Sequence, residues 1–258
     1  MTLIGDDFRA SLSHALYRPF NPLGLLPSIG IFIGLLLVNQ VVLVPLFGAG
    51  ILLLTSGQTG DNGDWLRAVL LAILPAGLVT AGIAWIAVRR QGADPGRVLA
   101  LRLPDLGLLG WAAAVGGFFV SINALFLLLA TLFGFDLNSS GLVEKGTMQF
   151  GHDPLFFLIA GGLVIGAPLA EELIFRGQIF AALALTPLGT SGASLLTSAL
   201  WAVTHAFTQP LHVVGLLFLM GLLLSWLLVR FGSLWVTIAC HAVWNAMSAV
   251  ALYSMASQ

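Results

Sequence analysis

The stretch LFFLIAGGLVIGAPLAEELIFR (Leu155–Arg176) decides the fold. It runs without a charge from Leu155 to Ala170, then sets two adjacent carboxylates and an arginine on the same apolar run. A helix needs about 20 apolar residues to cross the hydrocarbon layer, and this stretch has that length. Six further runs frame it, at roughly Ile29–Leu54, Leu66–Val88, Leu106–Phe135, Ile179–Thr204, Leu211–Val229 and Leu234–Tyr253. The run Ile179–Thr204 is interrupted around Pro187–Gly192 and could form two short helices. The expectation is therefore an all-α, polytopic transmembrane helical bundle with about seven to eight membrane helices.

Composition agrees. Of 258 residues, 59% are hydrophobic and only 8% charged, against about 25% charged in a soluble domain. The formal charge of −1 gives nucleic acid no basic surface, and the single cysteine, Cys240, excludes an intrachain disulfide. No signal peptide is expected, since the first apolar run starts late and is too long for one. Residues 1–28, with Asp6, Asp7 and three prolines, read as a cytoplasmic or interfacial segment, and 29–153 as N-terminal membrane helices.

Basic residues set an orientation. With the N-terminus inside, Arg9, Arg18, Arg89, Arg90, Arg97, Arg102, Arg176 and Arg230 fall on the inner side, and Arg67 and Lys145 on the outer. This asymmetry predicts a cytoplasmic N-terminus. The compact loops and Ala/Leu/Gly-rich composition point to a bacterial inner (plasma) membrane protein, its first partner the membrane lipid itself.

Most charges lie in loops, where water solvates them. The exceptions are Glu171, Glu172 and Arg176, followed by His205 after Trp201-Ala-Val-Thr, and by His241-Ala-Val-Trp-Asn245. An ionised side chain near the bilayer centre costs about 2.5–3.5 kcal/mol even on the insertion scale, so such residues mark a functional site by default. Glu172 and Arg176, four apart, share a helix face as an ion pair. Glu171 is rotated by about 100° and has no local partner, which leaves it free to act as a base. Pro168 should kink the helix beside the acids. His241 and Asn245 project from one face and could hold a developing oxyanion, and His205 could relay a proton taken from water by Glu171. Taken alone, His205 or the His241–Asn245 pair could equally be interhelical glue. Two neighbouring acids in an apolar helix have no such packing role.

Other motifs fail. There is no His-Glu-x-x-His and no Walker sequence. Gly189-Thr-Ser191-Gly192 matches the G-x-S-G of rhomboid-type serine proteases, but the order relative to His241-x-x-x-Asn245 is wrong, so Thr190–Gly192 reads as a hinge between half-helices. Gly162-x-x-x-Gly166 reads as a helix-packing signal.

Glu171-Glu172-x-x-x-Arg176, aromatic-x-x-x-His205 and His241-x-x-x-Asn245 on successive late helices resemble the CPBP family, also called the Abi or CAAX-processing intramembrane protease family. The resemblance covers about Leu155–Ser254. One departure is visible: the second motif usually begins with Phe, and this chain has Trp201. The resemblance implies a catalytic helical core over 154–258. It implies an intramembrane endopeptidase acting on a membrane-embedded or lipid-modified (CAAX-like) peptide or protein, reached from the inner half of the bilayer. Glu171 with His205 would activate water, His241 with Asn245 would stabilise the oxyanion, and Glu172 with Arg176 would support Glu171. Family members are often labelled metalloproteases. The cofactor stays open between zinc or another divalent metal, held by Glu171, Glu172, His205 and His241, and none. Rival readings are a non-catalytic scaffold or bacteriocin-immunity-type protein, and a proton-coupled transporter using the same acids.

Overall fold

A computed structural model describes residues 16–55, 62–134, 141–151 and 153–256. Arg9 and the two N-terminal aspartates lie outside them. Among the described residues there are nine helices and no strand. The seven longer ones are α1 (Leu25–Thr55), α2 (Asn62–Arg90), α3 (Leu108–Phe133), α4 (Phe156–Ala184), α5 (Gly189–Thr204), α6 (Leu211–Phe231) and α7 (Leu234–Ala256). Two short helices, Pro95–Val98 and Leu142–Gln149, lie in connections.

Six of these helices, all but α5, are long and apolar enough to cross a membrane. The expected seven to eight thus becomes six long spans with a shorter α5 among them. The difference has a local cause. Ile179–Ala184 continues α4 instead of opening a new helix, and the break falls at Leu185–Leu188, before Gly189 with its φ of 59°. Thr190–Gly192 is therefore the first turn of α5 and not the hinge. The same extension places Arg176 inside α4, fully buried, so it leaves the inner-loop set. The remaining inner arginines still outnumber Arg67 and Lys145.

The two ends of the bundle are tied differently. At the arginine end, Tyr17 N–H donates to Val229 O at 3.1 Å, Leu234 N–H to Ala100 O at 2.8 Å and the Trp235 indole to Leu101 O at 2.8 Å. Tyr17 also meets the Phe180 ring edge-on at 5.5 Å, and burial raises its phenol well above the usual range. At the opposite end Arg67 pairs with Asp153, and Phe156 packs on Tyr253 at 5.2 Å.

Between them, α2 and α4 come to backbone contact. A Cβ added at Gly166 would sit 2.7 Å from Ile73 O, one at Gly162 3.2 Å from the Leu74 nitrogen, and one at Gly77 against Gly166 O. The Gly162-x-x-x-Gly166 signal is a close-packing surface, as small residues at membrane helix crossings allow.

Candidate active site

Helix α4 is not a regular α-helix. Gly162–Gly166 and Glu172–Ile179 form wide π turns on either side of Ala167–Glu171. Such turns recur at functional sites because they re-aim side chains within a helix. Pro168 contributes, though not by a simple kink. Ala167 N–H bonds to Gly162 O, five residues back. In that register the next donor would be residue 168, which is a proline without N–H, so Leu163 O loses its helical partner. The Asn245 side chain supplies one, donating from Nδ2 at 2.8 Å. The helix thus reaches the bundle centre with its backbone satisfied by α7.

The second wide turn buries every residue from Glu172 to Ile179. Glu172 Oε1 accepts from Arg176 Nη1 and from His241 Nδ1, each at 3.0 Å, and Glu172 and Arg176 have no exposed side-chain surface. An ionised carboxylate only accepts, so Nδ1 of His241 carries a proton and Nε2 remains as the ring's other polar atom. Glu172 fixes that ring orientation, in the way a carboxylate orients a histidine in many hydrolytic sites.

Trp201 on α5 joins the remaining pieces. Its indole N–H donates to Glu171 Oε2 at 2.6 Å, and its face carries the Arg176 guanidinium at 4.5 Å. Its ring meets His205 at 5.2 Å and His241 at 5.4 Å, both edge-on. His205 lies where α5 ends, with Nδ1 2.9 Å from the Trp201 carbonyl oxygen. Behind the guanidinium, Gly221 of α6 leaves no spare room, since a Cβ there would lie 2.9 Å from Arg176 Nη2 and 2.8 Å from Ser198 Cβ.

Glu171, His205, His241 and Asn245 all line one cavity of about 970 Å³. It extends from the acids toward Thr147, Thr208, His212 and Met255, the end away from the arginines. α5 stops at Thr204, and His205, Phe207, Thr208 and Gln209 of the following turn border this part of the cavity.

The structure therefore brings together all six expected residues, with two changes of partner. Glu171 is not partnerless, since Trp201 holds it, and no direct hydrogen bond joins it to His205 among the described residues. Asn245 spends one amide hydrogen on Leu163 O, leaving the other. Trp201 was legible only as an aromatic in a motif; its departure from Phe was the available signal. Gly221 carried none.

The fit to a metal can be tested on the donor set. Among the described residues no three His, Cys, Asp or Glu side chains gather as a metal site. Glu172 Oε1 is committed to Arg176 and His241, and Glu171 Oε2 to the indole. As arranged here these side chains are not gathered as a metal site, and no step below is routed through one.

No curated protein and no solved structure matches the chain. A family model does, over the part that builds this site: residues 153–247 match the model described as type II CAAX prenyl endopeptidase Rce1-like. The match starts at the head of α4 and ends just past Asn245, so every residue lining up around Trp201 falls within it. Over residues 153–247 the chain is thus similar to an Rce1-like domain of the CPBP family.

Proposed function

We propose that the protein is an integral membrane endopeptidase that hydrolyses a peptide bond in a membrane-embedded or lipid-modified, CAAX-like substrate, with water activated by Glu171. The observation that carries this reading is the convergence of Glu171, His205 and His241 from three chain segments onto one cavity, around a tryptophan that touches all three. The family match supplies the reaction class.

The chain's own groups divide the work. Trp201 engages Glu171 Oε2, which leaves Oε1 to take the proton of an attacking water. His205, with Nδ1 turned to the Trp201 carbonyl, offers Nε2 for passing that proton to the leaving amine. The oxyanion is held by His241 and by the spare Asn245 amide hydrogen. To donate from Nε2, His241 must carry protons on both ring nitrogens, and Glu172 is the counter-charge for that form. With it, Glu171, Glu172, Arg176 and His241 sum to zero net charge, which suits a low-dielectric site.

In this reading α5 is a seventh crossing, residues 1–28 and the arginine end face the cytoplasm, and 29–153 support the catalytic core at 154–258. The cavity then receives substrate through its outer half. The loop charges favour this orientation, and the compact loops and Ala/Leu/Gly-rich composition favour a bacterial inner membrane.

The test is cleavage of internally quenched membrane peptides, with and without a farnesylated CAAX terminus, by purified protein and by the Glu171→Ala variant. Cleavage lost in the variant supports the reading, and equal rates across both peptide sets count against it. Dialysis against a chelator leaves the rate unchanged if the reaction runs on these side chains alone.

A further inference from the structure

At the midpoint of α1 (Leu25–Thr55) stand two adjacent carboxamides, Asn39 and Gln40, with about 22 Å of helix on either side. No side chain reaches the bulk water at the helix ends from there, and polar groups at that depth need partners or a function. The helix widens at Val38–Leu43, where Val44 N–H bonds to Asn39 O, five residues back. Asn39 is explained by structure. It is 7% exposed, and its Nδ2 donates at 2.8 Å to Thr80 Oγ1 on α2, which in turn donates to Ala76 O at 2.8 Å.

Gln40 is different. It is exposed, and it lines the same cavity as Glu171, Trp201 and His241. Its hydrogen bond is from Nε2 to Asn39 Oδ1 at 3.1 Å. That bond aligns the carboxamide and leaves one N–H and the Oε1 acceptor, the pair of groups that one peptide unit presents. The neighbouring lining residues Leu37 and Val41 are 53% and 63% exposed, so this flank of the cavity faces the lipid.

A peptide cleaved within a membrane must be extended at the scissile bond, and its freed backbone N–H and C=O groups have no water to bond. We propose that Gln40, held by the Asn39–Thr80 relay, is a subsite for the substrate's backbone: Oε1 accepts a substrate N–H and the spare Nε2 hydrogen donates to a substrate C=O. The site recognises peptide amides and is indifferent to side chains. It lies on α1, outside residues 153–247. The proposal rests on the peptide-substrate reading of the cavity, and its test separates the two.

Binding is measured without turnover, in the Glu171→Ala background, by fluorescence anisotropy of a labelled farnesylated CAAX peptide in nanodiscs. Glu171→Ala/Gln40→Leu binds it about tenfold more weakly, the size of one net hydrogen bond. A series of depsipeptides, each with one amide replaced by an ester, probes the same hydrogen bond from the ligand's side. At one position the ester costs about tenfold against Glu171→Ala and nothing further against the double variant. Equal affinity of the two proteins for the peptide, or an ester penalty that Gln40→Leu does not remove, overturns the subsite. Binding with these differences but no cleavage by the unmutated protein overturns the endopeptidase reading and leaves the subsite standing.

Discussion

The Trp201 indole N–H donates to Glu171 Oε2 across 2.6 Å while the same ring stacks under the Arg176 guanidinium. One side chain thus holds the proposed base and covers the buried cation behind it. Phenylalanine keeps the stacking surface and removes the donor. A hydrogen bond to a charged group is worth about 1.5–3 kcal/mol, so Trp201→Phe lowers kcat roughly tenfold or more while KM stays within about twofold. Steady-state cleavage of the quenched peptide measures both. A change in KM alone would mean that Trp201 shapes the cavity and does not position Glu171.

Glu172, the shared acceptor for Arg176 and His241, has no exposed side-chain surface, and neither has Arg176. Removing one partner of a buried ion pair costs about 3–5 kcal/mol because the other charge is left without compensation. Glu172→Gln therefore lowers the thermal midpoint in detergent markedly and abolishes cleavage. Glu172→Gln/Arg176→Met removes both charges and recovers much of the stability but none of the activity, since His241 still lacks its orienting carboxylate. Melting curves of the two variants, read by circular dichroism, decide this.

The all-α membrane class and the six polar residues of the candidate site were legible in the sequence because the membrane makes both signals simple. Length and apolarity identify a span, and any charge inside a span stands out. The ion pair Glu172–Arg176 followed from its spacing, although the turn that makes it is wide. What could not be read depended on contacts between helices. Whether Glu171 had a partner turned on where the α5 tryptophan came to lie, thirty positions later in the chain. The α4–α5 break was legible at Pro187, but Thr190–Gly192 was not legible as helix, because its Gly and Ser residues carry a turn signal that the first turn of α5 overrides. Asn245 acting on Leu163 O required knowing that α4 adopts a five-residue register before Pro168, which local propensity does not reveal.

The Arg67–Asp153 pair joins α2 to the start of α4. Nη2 of Arg67 donates to Oδ1 at 2.9 Å, and Nε lies 2.6 Å from Oδ2. With side chains 27% and 13% exposed, solvent screens part of this attraction, and about 1 kcal/mol is a fair expectation. Asp153 has a second task, since Oδ1 also accepts from Leu155 N–H at 2.7 Å at the head of α4. Asp153→Ala therefore destabilises more than Arg67→Ala, by the ~1 kcal/mol of this lost turn hydrogen bond. Chemical denaturation in mixed micelles should separate the two, and equal effects would show that the turn bond contributes nothing.

Three glycines of α4 face α2 at graded distances, and the grading predicts an ordered series. A Cβ at Gly161 would lie 3.8 Å from Leu74 Cδ2, ordinary contact, whereas at Gly162 it would lie 3.2 Å from the Leu74 nitrogen and at Gly166 2.7 Å from Ile73 O. The last two neighbours are backbone and cannot rotate away. Overpacking typically costs about 1–3 kcal/mol, so Gly166→Ala is the most destabilising, Gly162→Ala intermediate and Gly161→Ala close to neutral or slightly stabilising through helix propensity. Gly166→Ala also pushes α4 from α2 just over one turn before Glu171, so its residual activity per folded molecule falls, while Gly161→Ala retains full activity. Thermal midpoints and cleavage rates of the three single variants test the order, and a Gly161→Ala loss as large as that of Gly166→Ala would refute backbone contact as the cause.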